Sequence, residues 1–391
     1  MRLKQRNMGL FMMVMLGSTV TFAGGKAHAA DSIQVRVENH MVRTDTPPVN
    51  DDGTTMIELR PIFEALGMKV TWNDQTQEAT GEGKGVKITF RIGDNATVIN
   101  GKRRDMPVSP FISEGHVMVP LRILGEACGQ HVAWNGDTKL ITLTKKIKTY
   151  KIFYGNPTPA IIEQMKAYDL VVIEPSVYRQ DQIAAIKSKG TIVIGYQSIM
   201  EIDLHQQQYV DRLQDSDYFH DKNGDTVYFE EWRSYLADLS KSHLRQVLYD
   251  QIELGIVKKG MDGVFLDTVD HIDSYFAHQT DYQERLRSSY VELLKRLKAT
   301  SPNLYLIQNN GFETLESASL PYVSGVLWEN LFKYSTTPDE WTAEWLQQLT
   351  AIKEQNGTTI FTTVPNKEAQ YISENIGFPT IINKDSIYNT W

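Results

Sequence analysis

The chain has 391 residues, a formal net charge of −8 and one cysteine. That length leaves room for two domains, and a single cysteine excludes an intramolecular disulfide. The acidic balance disfavours nucleic acid and anionic membrane as partners and favours a neutral or cationic polymer. Arg2, Lys4 and Arg6 precede a mostly apolar run from Met8 to Val20 that is short for a bilayer span. Ala27-His28-Ala29 then forms a small-residue cleavage site, with Ala30 next. Residues 1–30 therefore read as a secretory signal peptide, and the mature protein as secreted or cell-wall associated, without a membrane segment after cleavage. Removing them takes away four basic residues and no acidic ones, which moves the net charge from −8 to −12.

Residues 31–146 carry an internal repeat. Arg60 to Asn73 lines up with Arg122 to Asn135 at an offset of 62, with Arg, Glu, Ala, Gly, Val, Trp and Asn recurring in register. Each unit predicts a short helix, a glycine cap (Gly67, Gly129) and a strand bearing Trp72 or Trp134. The tryptophans are expected to pin each helix to its sheet, with a pair of sugar platforms as the alternative. Cys128 reads as a small core residue rather than a nucleophile. His40, His116 and His131 are scattered along the sequence and predict no metal site. On the Leu59-Arg60 and Leu121-Arg122 segments and the Gly and Trp-Asn that follow them, this region resembles the copper amine oxidase N-terminal-like domain, a stalk domain of secreted bacterial proteins. The resemblance implies a small α+β module for attachment, spacing or weak cell-wall contact.

Lys145-Lys146-Ile147-Lys148 reads as a linker, and residues 149–391 as a second domain with an alternating strand and helix rhythm. Eight strands are predicted: Tyr150 to Tyr154, Leu170 to Glu174, Thr191 to Tyr196, Gly263 to Asp267, Leu304 to Asn309, Gly325 to Glu329, Thr358 to Thr363 and Pro379 to Ile382. Several are apolar throughout, as in a parallel sheet covered on both faces. Helices are predicted over Pro159 to Tyr168, Asp181 to Lys189, Leu244 to Lys259 and Asp281 to Ala299. Eight such units in this length fit an α/β fold of the (β/α)8 barrel type. No strand is followed by a glycine-rich dinucleotide fingerprint. Ile199 to Asp238 is an insert rich in Tyr, Trp and acids, expected to wall a cleft.

The predicted strand ends bring Tyr154, Glu174, Tyr196, Asp267, Asn309 and Glu329 to one rim, where barrels keep their chemistry. Two facing carboxylates, Asp267 and Glu329, are the equipment for cleaving a glycosidic bond. The plainer alternative is that each acid caps the helix after it. Asp270, His271 and Asp273 offer another reading, a metal cluster of a polysaccharide deacetylase, but His271 and His278 are seven residues apart and do not share a helix face as two ligands would.

The barrel region resembles glycoside hydrolase family 114, the endo-α-1,4-polygalactosaminidase-like family. Three motifs carry the resemblance in order: Lys259-Gly260-Met261-Asp262-Gly263-Val264-Phe265-Leu266-Asp267-Thr268-Val269-Asp270, then Gln308-Asn309-Asn310-Gly311, then Gly325-Val326-Leu327-Trp328-Glu329. The resemblance implies an endo-acting hydrolase of a galactosaminan-like amino-sugar exopolysaccharide. It implies Asp267 and Glu329 as the catalytic acids, a polysaccharide as partner and no cofactor or metal. One departure is Met200, where the family has Gly before Glu201, a change expected to alter the substrate pocket. Asp267 is expected as nucleophile and Glu329 as acid/base of a retaining mechanism. Tyr154, Glu174, Tyr196, Glu201, Asn309 and Trp328 are the expected substrate contacts, Asn309 through a sugar hydroxyl. The rivals are a non-catalytic wall carbohydrate-binding protein on a degenerate barrel, and the deacetylase.

Overall fold

The structure, a computed structural model, describes residues 33–38, 40–136, 138–383 and 387–391. The predicted signal peptide lies outside the described residues.

From Tyr150 onward the chain builds one parallel sheet of eight strands in sequential order. They are β1 (Tyr150–Phe153), β2 (Leu170–Ile173), β3 (Ile192–Ser198), β4 (Gly263–Asp267), β5 (Tyr305–Asn309), β6 (Gly325–Trp328), β7 (Thr359–Val364) and β8 (Thr380–Ile382). All seven ladders are parallel. The strands are apolar throughout because both faces are covered. Ile152, Val172, Ile194, Phe265, Ile307, Leu327 and Phe361 fill the barrel interior, while Val171, Val193, Val264, Leu306, Val326 and Ile360 pack outward against helices. The sheet is a nearly closed barrel, and no ladder joins β8 to β1 among the described residues. Instead the C-terminal segment bridges that side. Tyr154 N donates to Tyr388 O at 2.8 Å, and Trp391 packs edge-on against Phe153 and Tyr168.

Helices follow the strands as predicted, including Pro159–Met165, Gln180–Lys187, Ser242–Ile252 and Thr280–Thr300. Thr158 caps the first of these through its side chain, and Asp339 and Asn366 cap Glu340–Asn356 and Lys367–Ile376 in the same way, satisfying amides a helix leaves free. The eighth unit departs from prediction: no helix follows β8 among the described residues, and the C-terminal segment takes its place. The insert after β3 folds into a small antiparallel sheet of Glu201–Asp203, Tyr228–Phe229 and Ser234–Leu236.

The N-terminal region is β-rich with two short helices, Leu59–Ala65 and Leu121–Ala127, each the helix of one repeat unit. The units are joined by antiparallel pairing of Thr54–Glu58 with His116–Pro120, in which Ile57 faces Val119. Those two residues are 62 apart, so the repeat pairs with itself about a local two-fold axis. Gly67 and Gly129 take φ of +74° and +70° after the helices, the left-handed conformation such caps need. The pinning role expected for the tryptophans holds for Trp72, which packs on the core, but not for Trp134, which is 45% exposed. Val132 has the inner position instead, against Gly125, where a Cβ would come within 2.4 Å of it. Cys128 is half-buried beside Met68, and burial pushes its thiol up to about 11, which keeps it protonated and unreactive.

This region meets the barrel through His131 to Lys353 O at 3.1 Å, Thr144 Oγ1 to Gly357 O at 3.2 Å and Lys145 Nζ to Gly190 O at 2.9 Å. Gly190 and Gly357 precede β3 and β7, so the contact lies at the N-terminal ends of the strands and the opposite rim stays open.

Gly263 starts β4 because nothing larger fits: a Cβ there would stand 2.0 Å from Tyr305 O. Gly263→Ala is expected to destabilise the protein by about 1–3 kcal/mol. Gly255→Ala, in helical backbone with open space around its Cα, should be neutral or mildly stabilising. Denaturant midpoints of the two variants check the contrast.

Candidate active site

Side chains alternate along a strand, so the inward layer of Ile152, Val172, Ile194, Phe265, Ile307 and Leu327 is followed two residues on by Tyr154, Glu174, Tyr196, Asp267, Asn309 and Glu329. These are the residues the sequence placed at the rim, and they form the last inward layer.

Asn309 sits between the two acids. Its Nδ2 donates to Asp267 Oδ1 at 2.7 Å and to Glu329 Oε2 at 3.2 Å. Those two oxygens therefore lie no farther apart than the two bonds laid end to end, 5.9 Å. Asp267 also accepts from Tyr196 Oη at 2.8 Å and from the Thr268 amide at 2.8 Å. Glu329 accepts from Tyr388 Oη at 2.7 Å, and its own amide donates to Asn310 Oδ1 at 3.0 Å. Burial, with Asp267 and then Tyr154 next in weight, holds the Tyr196 phenol well above its ordinary range. Burial and then Glu329 do the same for Tyr388. Both phenols are thus neutral hydroxyls able to donate.

The turns leaving these strands are unusual. Thr268, Asn310, Asn330 and Phe332 have φ of +64°, +46°, +61° and +60°. For a β-branched residue such as Thr268 this is a strained conformation. Hydrogen bonds hold it there: Thr268 Oγ1 donates to Asp267 O at 2.6 Å, accepts from Met200 N at 3.0 Å and meets Ser198 Oγ at 3.0 Å. The turn aims the Thr268 amide back at the Asp267 carboxylate.

The remaining expected contacts divide. Tyr154 is packed between Tyr196 and Tyr388, at 4.9 and 5.5 Å between ring centres. Glu174 caps the turn after β2, accepting from Ser176 N at 3.0 Å, the alternative weighed for these acids. Glu201 lies outside the inward layer, and both its oxygens are taken, one by His271 Nε2 at 2.6 Å and one by Ser234. Burial pulls the His271 imidazole down, but the Glu201 bond and the nearby Asp270 and Asp267 charges more than offset it, so its pKa is raised. Asp273 pairs with Arg287 at 3.0 Å and with Thr314. Asp270, His271 and Asp273 are therefore not brought together as metal ligands. Among the described residues the one such group is Asp45, Glu58 and His116 in the N-terminal region, which sequence spacing did not reveal. There Glu58 accepts from the Asp45 and Thr46 amides and pairs with His116 at 2.7 Å.

Trp328 is buried, edge-on to Phe312 at 5.1 Å, and lines a cavity of about 590 Å³ beside Glu329. Asp270, Trp341 and Tyr334 line the same cavity. Sequence reasoning missed Tyr388, which lies beyond the last strand, and the place of Asp270 in the cavity. Asp270 belongs to the motif that ends β4, and that was its only signal.

A family model described as glycoside-hydrolase family GH114 matches residues 134–365, and one described as copper amine oxidase N-terminal domain matches residues 36–143. No curated protein matches the chain. Among solved structures, the glycoside hydrolase domain of PelA from Pseudomonas aeruginosa is 21% identical, with 60% of this chain and 94% of that one covered and a TM-score of 0.49. Ega3 from Aspergillus fumigatus, in complex with galactosamine, is 18% identical, with 62% and 92% covered and a TM-score of 0.46.

Burial pushes the Asp270 carboxyl up to about 6; His271 opposes this and Asp267 adds to it. The folded protein therefore holds that proton more tightly than the unfolded chain, and stability falls as pH rises from about 4 to about 6. Asp270→Asn should raise the melting temperature at about pH 8, with the gain gone by about pH 4. Thermal melts of both proteins across that range check it.

Proposed function

The chain belongs to glycoside hydrolase family GH114, and from that premise we propose that it is a secreted, endo-acting hydrolase of a galactosaminan-like amino-sugar exopolysaccharide, working by retention. The observation that carries the reading is the pair of carboxylates bridged by Asn309. Retaining enzymes need their acids about 5–5.5 Å apart, and inverting ones leave about 6.5–9.5 Å for a water. The bridged pair of oxygens lies within 5.9 Å, short of the inverting range, which supports retention.

The roles divide by hydrogen bonding. Asp267 receives three donors, two of them N–H groups that can only donate. That setting suits an ionised carboxylate acting as nucleophile. Glu329 receives one long N–H contact and one phenol, and a phenol can turn to accept. Glu329 can thus carry a proton and give it to the leaving oxygen while Asp267 attacks C1. It then takes a proton from the water that releases the glycosyl-enzyme. Asn309 Oδ1 is buried and has no hydrogen-bond partner among the described residues. The basic start, apolar run and Ala27-His28-Ala29 site support secretion. The N-terminal region, set against the far end of the barrel, suits spacing or wall attachment.

Release of reducing ends from partially deacetylated galactosaminan tests the reading. Wild type should cleave it. Glu329→Gln should lose about 10²–10⁴-fold in rate, the scale of general acid–base catalysis, and Asp267→Asn at least as much, with melting temperatures little changed. Binding without cleavage by the wild type would instead mark a carbohydrate-binding protein on a barrel that has lost its activity.

A further inference from the structure

The cavity beside Glu329 has two kinds of wall. One is aromatic: Trp328 forms the buried base, and Trp341 and Tyr334, 50% and 91% exposed, stand at its edge. The other is acidic, and its inner member is Asp270, three residues beyond Asp267. Among the described residues none hydrogen-bonds or pairs with the Asp270 carboxyl, whereas three neighbouring acids are engaged. Glu174 caps a turn, Glu201 holds His271 and Ser234, and Asp273 holds Arg287. His271, whose charge acts on Asp270, turns its Nε2 to Glu201, and Lys333, which lines the same cavity, stands over the Tyr334 ring at 5.5 Å.

A half-buried carboxylate without a partner is costly to ionise, and here Asp267 and Glu329 add their repulsion. A bound cation would remove that cost. A sugar ring with a protonated amine matches both walls: its C–H face covers an aromatic ring, and its ammonium supplies the charge the acid lacks. An N-acetylated ring would leave the acid unpaired beside a bulky neutral amide.

We propose that Asp270 is the residue that selects a sugar carrying a free ammonium, over its N-acetylated or hydroxyl counterpart, for the ring bound beside Glu329. The proposal takes its class of substrate from the hydrolase reading above, but its binding test does not depend on turnover.

The test compares binding of galactosamine, N-acetylgalactosamine and galactose to the full chain at neutral pH, followed by ligand-observed NMR titration, for wild type, Asp270→Asn and Asp270→Glu. Wild type should prefer galactosamine over both others by about tenfold or more, the scale of a hydrogen bond to a charged group. Asp270→Asn should erase the preference, with the loss falling mainly on galactosamine, and Asp270→Glu should restore part of it. A wild type with no preference, or an asparagine variant that keeps one, overturns the proposal. A general structural defect would weaken all three sugars alike, and that result too would overturn it. Failure to cleave any polymer with the ammonium preference intact would sink the hydrolase reading and leave this one standing.

Discussion

Two carboxylates that must flank one bond repel each other, and a fold that uses them has to hold them together. At about 5 Å and an effective dielectric near 20, two unit charges repel by about 3 kcal/mol. Here one amide group works against that repulsion. Asn309 sends one N–H to Asp267 and the other to Glu329, so the spacing between the acids is set by the size of an NH₂ group. The central strand of the three carries the bridge, because β5 lies between β4 and β6 in the sheet. Register does the rest: the same inward alternation that stacks Phe265, Ile307 and Leu327 inside the barrel places the next inward residue of each strand at the rim.

Around that bridge the rim is held by its turns and by the C-terminal segment. The left-handed turns at Thr268, Asn310 and Asn330 hold backbone in a conformation that Asn tolerates and a β-branched Thr resists. Hydrogen bonds from Met200 N to Thr268 Oγ1, from Asn310 N to Leu327 O and from Asn330 N to Thr363 Oγ1 oppose that strain. The C-terminal segment has two roles. It spans the side where the barrel is not closed by a ladder, and it delivers Tyr388 to Glu329. Loss of that segment would therefore affect both the barrel and one of its acids.

Much of this was legible in the chain. Uninterrupted apolar runs ending in acids predict parallel strands buried on both faces, and a period of two then decides which end residue points inward. The same rule could not reach Tyr388, which lies on no strand, nor the inner sheet of the insert, whose strands are only two or three residues long. Asn309 was expected to meet a sugar hydroxyl. Its amide nitrogen also bridges the two acids, a role that depends on side-chain geometry the sequence does not contain. Glu201 looked like a cleft residue because it follows β3, yet the backbone turns at Ser198 to Met200 and carries it to the insert sheet, where His271 and Ser234 take it up. The exposed Trp134 shows the limit of a repeat: Trp72 and Trp134 match in sequence, but only one of them packs on the core.

The spacing fixed by Asn309 is a statement about stereochemistry, and the configuration of the first reducing ends formed reads it directly. Proton NMR of a galactosaminan digest, recorded before the anomers equilibrate, should show the same anomer as the bond that was cut. Products of the opposite anomer would mean that a water, not Asp267, attacks the sugar, and that the two acids stand farther apart in the working enzyme than one amide can span.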